Sequence, residues 1–258
     1  MPNDTIRPLM LLFSITCVFA CHSKKNNNSI ETNEEPTLGK INIEVSCSDE
    51  AGKLFREGLL LLHSFQFDDA GEKFIEAQQI DSTCAMAYWG EAMSHNHPLW
   101  REQDKDTAIV ILERLGPTAE SQRLAFKTEF EQDMFDAISI LYGSGTKKEN
   151  DKAYTAFMEK LHDKYPDNHE VRAFYALSLL GAVEDDRNAE MYVKGAKIAQ
   201  SIIDENPQHP GALHYLIHSY DDPDNAHKAL HAADRYALVA PDAAHALHMP
   251  SHIYVALG

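Results

Sequence analysis

Pro207 and Pro241 lie 34 residues apart, and the segments after them repeat a pattern at the same interval. "HPGALHYLIHSY" places His214 and His218 four residues apart, and "AHALHMPSHIY" places His248 and His252 four apart. A helix-stopping proline at a fixed interval, with helical spacing between its occurrences, constrains the fold strongly. Such a chain builds hairpins of two helices, and each hairpin buries its apolar face only by stacking on its neighbours. No run of Val, Ile or Thr alternates with period 2, so no sheet is expected.

The stretch "AGKLFREGLLLLHSFQFDDAGEKFIEAQQIDS" (51–82) carries the same logic. Counted from Ala51, Gly58 is at position 8, and Ala70, Phe74 and Ala77 are at positions 20, 24 and 27; Ser82 takes the usual proline position. This is the spacing of tetratricopeptide hairpins, in which small residues let two antiparallel helices approach and a large one fills the gap. A second unit opens at Ala85, with Tyr88 and Ala92 at positions 4 and 8, and then departs from the template. Residues 101–150 read as an irregular helical insertion holding "DKDTAIVILERL", a longer helix "TAESQRLAFKTEFEQDMFDAISILY" and a turn "GSGTKKEN". Order returns at "DKAYTAFMEKLHDKYPDNHEVRAFYALSLLGAV", where Tyr165-Pro166 closes one hairpin and Ala176 takes position 8 of the next. Pro210 suits the first turn of a helix, and Asp222 before Pro223 suits an N-cap. The expected fold is all-α: a tetratricopeptide-type (TPR) α-solenoid over 47–258, a right-handed superhelix of antiparallel helical hairpins. Its last unit starts near Ala244 and reaches only about position 15 at Gly258, which reads as truncation at the C-terminus.

The N-terminus is of another kind. "LMLLFSITCVFA" is apolar but too short to span a bilayer, so 1–20 read as a signal peptide. A small residue before Cys21 reads as a lipidation site that anchors the exported chain to a bacterial membrane, at the outer membrane or periplasm. Residues 21–46, polar and Asn-rich, read as a disordered tether. Cys47 and Cys84, each just before a helix, could pair in an oxidising compartment or remain two buried thiols. The net charge of −17 argues against nucleic acid and anionic lipid as partners.

On the repeat numbering His214 and His218 are positions 5 and 9, and His245, His248 and His252 are positions 2, 5 and 9 of the next unit. These positions line the concave groove of such a superhelix. Four residues advance a helix by about 6 Å, and neighbouring helices lie roughly 10 Å apart, so five imidazoles converge on one patch. Imidazole suits a divalent metal: Zn²⁺ first, with Cu²⁺ and Ni²⁺ as alternatives. Asp222 joins the candidate ligand set, and Asp221 beside it could complete or orient it. Networks of hydrogen bonds, or a partner's carboxylate, account for the same residues without a metal. His227 and His231 fall on an outward-facing helix, while His63 and His97 fall at position 13 of their units. Catalytic motifs are missing: Tyr215 and Met249 stand where a zinc protease has Glu after its first His, and there is no phosphate loop or Gly-x-Ser-x-Gly elbow. Glu91 and Glu102 are candidate acids only as groove carboxylates.

"DSTCAMAYWGEAM", "YPDNHEVRAFYALSLLG", "HPGALHYLIHSYDDP" and "APDAAHALHMPSHIYVALG" together resemble a family of exported bacterial tetratricopeptide proteins, putative lipoproteins of unknown function. The resemblance runs from about Cys47 to the end. It implies an all-helical superhelix, an exported location and further helices beyond Gly258, and it places His209, His214, His218, Asp222, His245, His248 and His252 in signature segments. The expected function is a scaffold whose groove binds a protein or peptide partner together with a divalent metal, with membrane contact only through the lipid. The alternative is a metal-dependent, hydrolase-like enzyme using the same histidines.

Overall fold

The computed structural model describes residues 37–182 and 188–258. The signal peptide, Cys21 and most of the expected tether lie outside the described residues. Among the described residues the chain is all-α apart from one minimal hairpin.

The first unit is α1 (Asp49–His63) folded back on α2 (Phe67–Ile80), with α3 (Ala85–Ser94) packed on α2. Ser48 caps α1 by accepting from Ala51 N, and Asp49 and Glu50 in the first turn suit the positive end of the helix dipole. The small-and-large pairing read from the spacing is realised here. A Cβ on Gly58 would lie 2.8 Å from the Phe74 ring, and one on Gly90 of α3 would lie 2.4 Å from it. Phe74 thus fills the seam between three helices that approach closely only because two glycines face it. Cys47 and Cys84 are joined by a disulfide, with Cα atoms 4.7 Å apart, which ties the segment before α1 to the start of α3.

Past α3 the backbone pairs briefly with itself. β1 (Asn96–His97) and β2 (Glu102–Gln103) form a two-residue antiparallel ladder, a departure from the expectation of no strand. Trp100 and Arg101 lie in its turn, and Arg101 adopts a positive φ of 58°. The region read as an insertion holds α4 (Lys105–Glu113), α5 (Ala119–Ala125), α6 (Glu129–Leu141) and the start of α7 (Lys147–Lys164). The single long helix expected over 118–142 is instead broken in two. Phe126 takes an extended ψ of 121°, and Thr128 and Glu131 form a capping box that starts α6 afresh. The Glu131 carboxylate also accepts from Lys127 N and Ser46 N, so the break is held by the segment before α1.

The second half runs α7, α8 (His169–Gly181), α9 (Ala189–Glu205), α10 (Pro210–Ser219), a 3₁₀ turn (Ala226–Ala229), α11 (Leu230–Val239), α12 (Ala244–His248) and α13 (Pro250–Leu257), with successive helices packed on one another. The helix expected after Ala244 is interrupted because Pro250 has no N–H to give and starts a new helix at its own N1.

Two findings differ from an open stack in which units touch only their neighbours. First, α1 packs against α10, bringing the C-terminal end of the first helix onto a helix some 150 residues later. A Cβ on Gly211 would lie 2.5 Å from His63 Nδ1, which shows how close the approach is. Second, the tether expected through residue 46 does not extend over 37–46. Leu38 and Ile43 are buried, Lys40 N donates to the Gln208 carbonyl, Asn206 Nδ2 donates to the Lys40 carbonyl, and Thr37 exchanges bonds with Asp242. Two buried apolar side chains and these bonds outweigh the local polarity of the segment. No helix among the described residues is long and apolar enough to cross a membrane.

Candidate metal centre

His209 caps α10 through Nδ1, which accepts from Ala212 N, and Pro210 occupies the first turn where no N–H is needed. From that start, His214 and His218 fall on one face of α10 with ring centroids 4.8 Å apart. The facing residue is His245 on α12, whose ring centroid is also 4.8 Å from that of His214. The Nε2 atom of His214 lies 3.0 Å from His218 Nε2 and 3.1 Å from His245 Nε2. All three ligand atoms lie within 4.8 Å of one another. His214 is fully buried, while His218 and His245 are partly exposed. Phe65, at a φ of 54°, brings its ring to 4.3 Å from His214, 5.5 Å from His245 and 6.0 Å from His218. A bulky residue in this strained region is uncommon, and here it forms the apolar side of the cluster.

The tautomer of His214 follows from its other nitrogen. Nδ1 lies 2.7 Å from the backbone carbonyl oxygen of His63, which can only accept, so Nδ1 carries the proton and Nε2 presents a lone pair. One lone pair can accept one good hydrogen bond, yet two imidazole nitrogens approach it. Ligands about 2.0–2.1 Å from a tetrahedral ion are about 3.3 Å from one another, close to the spacing found. An N–H to carbonyl bond on the nitrogen away from the ion is also the usual outer support of a metal-bound histidine. His214 is held neutral, with its pKa well below the usual value, because of burial first and then His218 and His245. His245 is lowered to about 4 by burial, with His248 and His252 adding to the effect. Neutral imidazole is the form that binds a metal.

His248 and His252 are brought together as a pair beside this trio. Their Nε2 atoms are 2.9 Å apart, and His252 Nδ1 donates to Asp221 Oδ2 at 2.7 Å. The five imidazoles expected on one patch are therefore a trio and a neighbouring pair. A cavity of about 400 Å³ borders both, walled by Trp100, Arg101, Leu180 and Tyr192 together with His218, His245, His248 and His252.

Asp222 is not brought into the trio. Its Oδ1 accepts from Asp224 N, Asn225 N and Asn225 Nδ2, which closes the turn ahead of the 3₁₀ segment, as its place before Pro223 suggests. The carboxylate that meets a histidine is its neighbour Asp221. His227 and His231 are exposed, and His97 stacks on Phe67 at 4.1 Å. Glu91 accepts from Gln78 Nε2 and pairs with Arg114, and Glu102 is exposed on β2.

A second cluster, His63, Glu170 and His209, is wholly buried and was not assembled from the sequence. His63 Nε2 lies 2.6 Å from Glu170 Oε2 and His63 Nδ1 lies 2.9 Å from the Tyr215 hydroxyl. Proximity alone would admit a metal here too, but the tautomers argue otherwise. His209 Nδ1 already accepts from Ala212 N, so its Nε2 carries the proton and lies 3.3 Å from Glu170 Oε1, at ion-pair distance without hydrogen-bond alignment. The 2.6 Å contact of His63 with Glu170 is of hydrogen-bond length and shorter than the separation of two ligands on one ion. The cluster is a buried carboxylate surrounded by donors. Desolvation opposes the charge of Glu170, but His63 and His209 outweigh it and hold the carboxyl well below the usual range. Its place in the first turn of α8 adds the helix dipole on the same side.

Comparison with protein-family models, curated proteins and solved structures finds no match to this chain.

Proposed function

We propose that the chain is a metal-binding helical protein in which His214, His218 and His245 hold one divalent transition ion, Zn²⁺ in the first instance. The observation that carries this reading is the fixed lone pair of His214 Nε2, approached at 3.0 and 3.1 Å by two further imidazole nitrogens. Three nitrogen ligands leave room in the coordination shell, and the cavity beside them gives a bound ion access to a ligand. The reading places this centre in a scaffold of tetratricopeptide-type hairpins, exported and tethered through Cys21, whose cavity takes a protein or peptide partner. The Gly58–Phe74 seam, the 34-residue interval and the Cys47–Cys84 disulfide support those parts of it.

A metal-dependent hydrolase is the second reading, and the accessible coordination position favours it, because a Zn²⁺-bound water there would ionise near neutral pH. It ranks second because the carboxylate on the cavity wall, Asp221, is already engaged by His252.

Elemental analysis of the purified chain, followed by Zn²⁺ titration of the metal-stripped form, tests the proposal. A bound ion that is lost in H214A/H218A is expected. An absence of binding, or as many ions bound in that variant as in the unaltered chain, would overturn it.

A further inference from the structure

Resting on that reading of the trio, we infer that the cavity takes a second transition ion, held by His248 and His252 next to the first. The pair shares one feature with His214, a tautomer fixed by an acceptor on the far nitrogen. Asp221 Oδ2 fixes the proton of His252 on Nδ1, so the lone pair of His252 Nε2 faces His248 Nε2 at 2.9 Å. A carboxylate on the far nitrogen of an imidazole raises its basicity and locks its ring, which is the usual outer support of a metal-bound histidine. The 2.9 Å spacing suits two adjacent ligands on one ion at about 2.0–2.1 Å, with water or a cavity ligand supplying the remaining positions.

The break in the last helix makes the arrangement. α12 stops at His248 and α13 begins at Pro250, with Met249 fully buried between them. Anchored there, the chain offers His245 to the trio on one side of the break and His252 to Asp221 on the other. The two sets are adjacent: ring centroids are 6.1 Å apart for His218 and His252, and 5.9 Å for His245 and His248. Both border the same cavity. Ions held by the two sets would open on the one cavity, where a single ligand could reach both.

The test is Zn²⁺ stoichiometry of the metal-stripped full chain, by calorimetric titration and by elemental analysis after dialysis, with far-ultraviolet circular dichroism to check helicity. Two ions per chain are expected, falling to one in H248A/H252A. D221N, which keeps both imidazoles, is expected to weaken the second ion by about 10- to 100-fold and leave the first unchanged. One ion per chain, lost in H214A/H218A, would overturn the second position while leaving the trio standing. Two ions retained in H248A/H252A would also overturn it. No ion in the unaltered chain would remove the trio itself.

Discussion

His214 Nδ1 donates to the carbonyl oxygen of His63 at 2.7 Å, across 151 residues of sequence. The bond fixes the tautomer of the central imidazole, and it depends on the last residue of α1 being pressed against α10. Gly211 sets that approach.

A methyl group at position 211 would meet His63 Nδ1 at 2.5 Å and Cγ at 2.8 Å. The His63 ring has little freedom to retreat, since Glu170 and Tyr215 hold both of its nitrogens. G211A is therefore expected to lower the stability of the metal-stripped chain by about 1–3 kcal/mol through overpacking. It should also weaken Zn²⁺ binding, because the His63 carbonyl moves with the ring. Denaturant melts and a Zn²⁺ titration of the same variant check both; unchanged values in each would refute the coupling.

Glu170 is a fully buried carboxyl set between His63 and His209. Its folded pKa is held below the unfolded one, so the stability it contributes is present above the unfolded carboxylate value and is lost as pH falls. E170Q removes the charge but keeps the shape, and puts an amide NH₂ in place of an acceptor oxygen beside either His63 or His209. A loss of about 3–5 kcal/mol is expected, the usual cost of breaking a buried charged cluster from one side. Equilibrium unfolding of E170Q at neutral pH measures it, and a loss under about 1 kcal/mol would show that His63 and His209 do not depend on the anion.

His245 acts in the same direction as Glu170, at higher pH. His245 is lowered to about 4 in the folded chain, chiefly by burial, against about 6.5 when unfolded. Between those values the unfolded chain takes up a proton that the folded chain refuses, so stability falls as pH drops from about 6.5 toward about 4, with no effect above that window. His214 shifts in the same direction. Melting temperatures of the metal-stripped chain should decline across this interval, and H245Q should decline less steeply. Parallel curves for the two proteins would count against the shift at His245.

What was legible in the sequence was what recurs. The 34-residue interval placed His214 and His218 on one helix with His245, His248 and His252 facing them, and Gly58 and Phe74 announced a close helical seam. The partition of five imidazoles into a trio and a pair was not legible, because it depends on a helix break at Met249–Pro250 and on a loop carboxylate, Asp221. Asp222 drew attention by its spacing, whereas its position before Pro223 already suited it to close a turn. The Glu170–His63–His209 cluster joins three helices distant in sequence, so no local period could reveal it. The nearest signal was His63 at the end of a buried face. Phe65 was equally hidden, since its role comes from a left-handed backbone that nothing in its side chain requires.

The Cys47–Cys84 disulfide closes a span of 37 residues that contains α1 and α2. Loop-closure entropy for a span of that length corresponds to about 4 kcal/mol of stabilisation. Reduction should not dismantle the first unit, because Phe74 still fills the seam between Gly58 and Gly90, and Cys84 lies among Ala51, Ala77 and Ala87 in a small apolar cluster of its own. C47A/C84A is thus expected to keep its helical signal at room temperature while melting on the order of 10 °C lower. Its Zn²⁺ affinity should be unchanged, since the disulfide joins the segment before α1 to the start of α3 and neither carries a residue of the trio. Thermal melts of the double variant beside the oxidised chain decide the matter: equal melting temperatures would mean that the crosslink adds nothing to the packing, and a lost Zn²⁺ signal would mean that the first unit reaches the metal centre through more than His63 and Phe65.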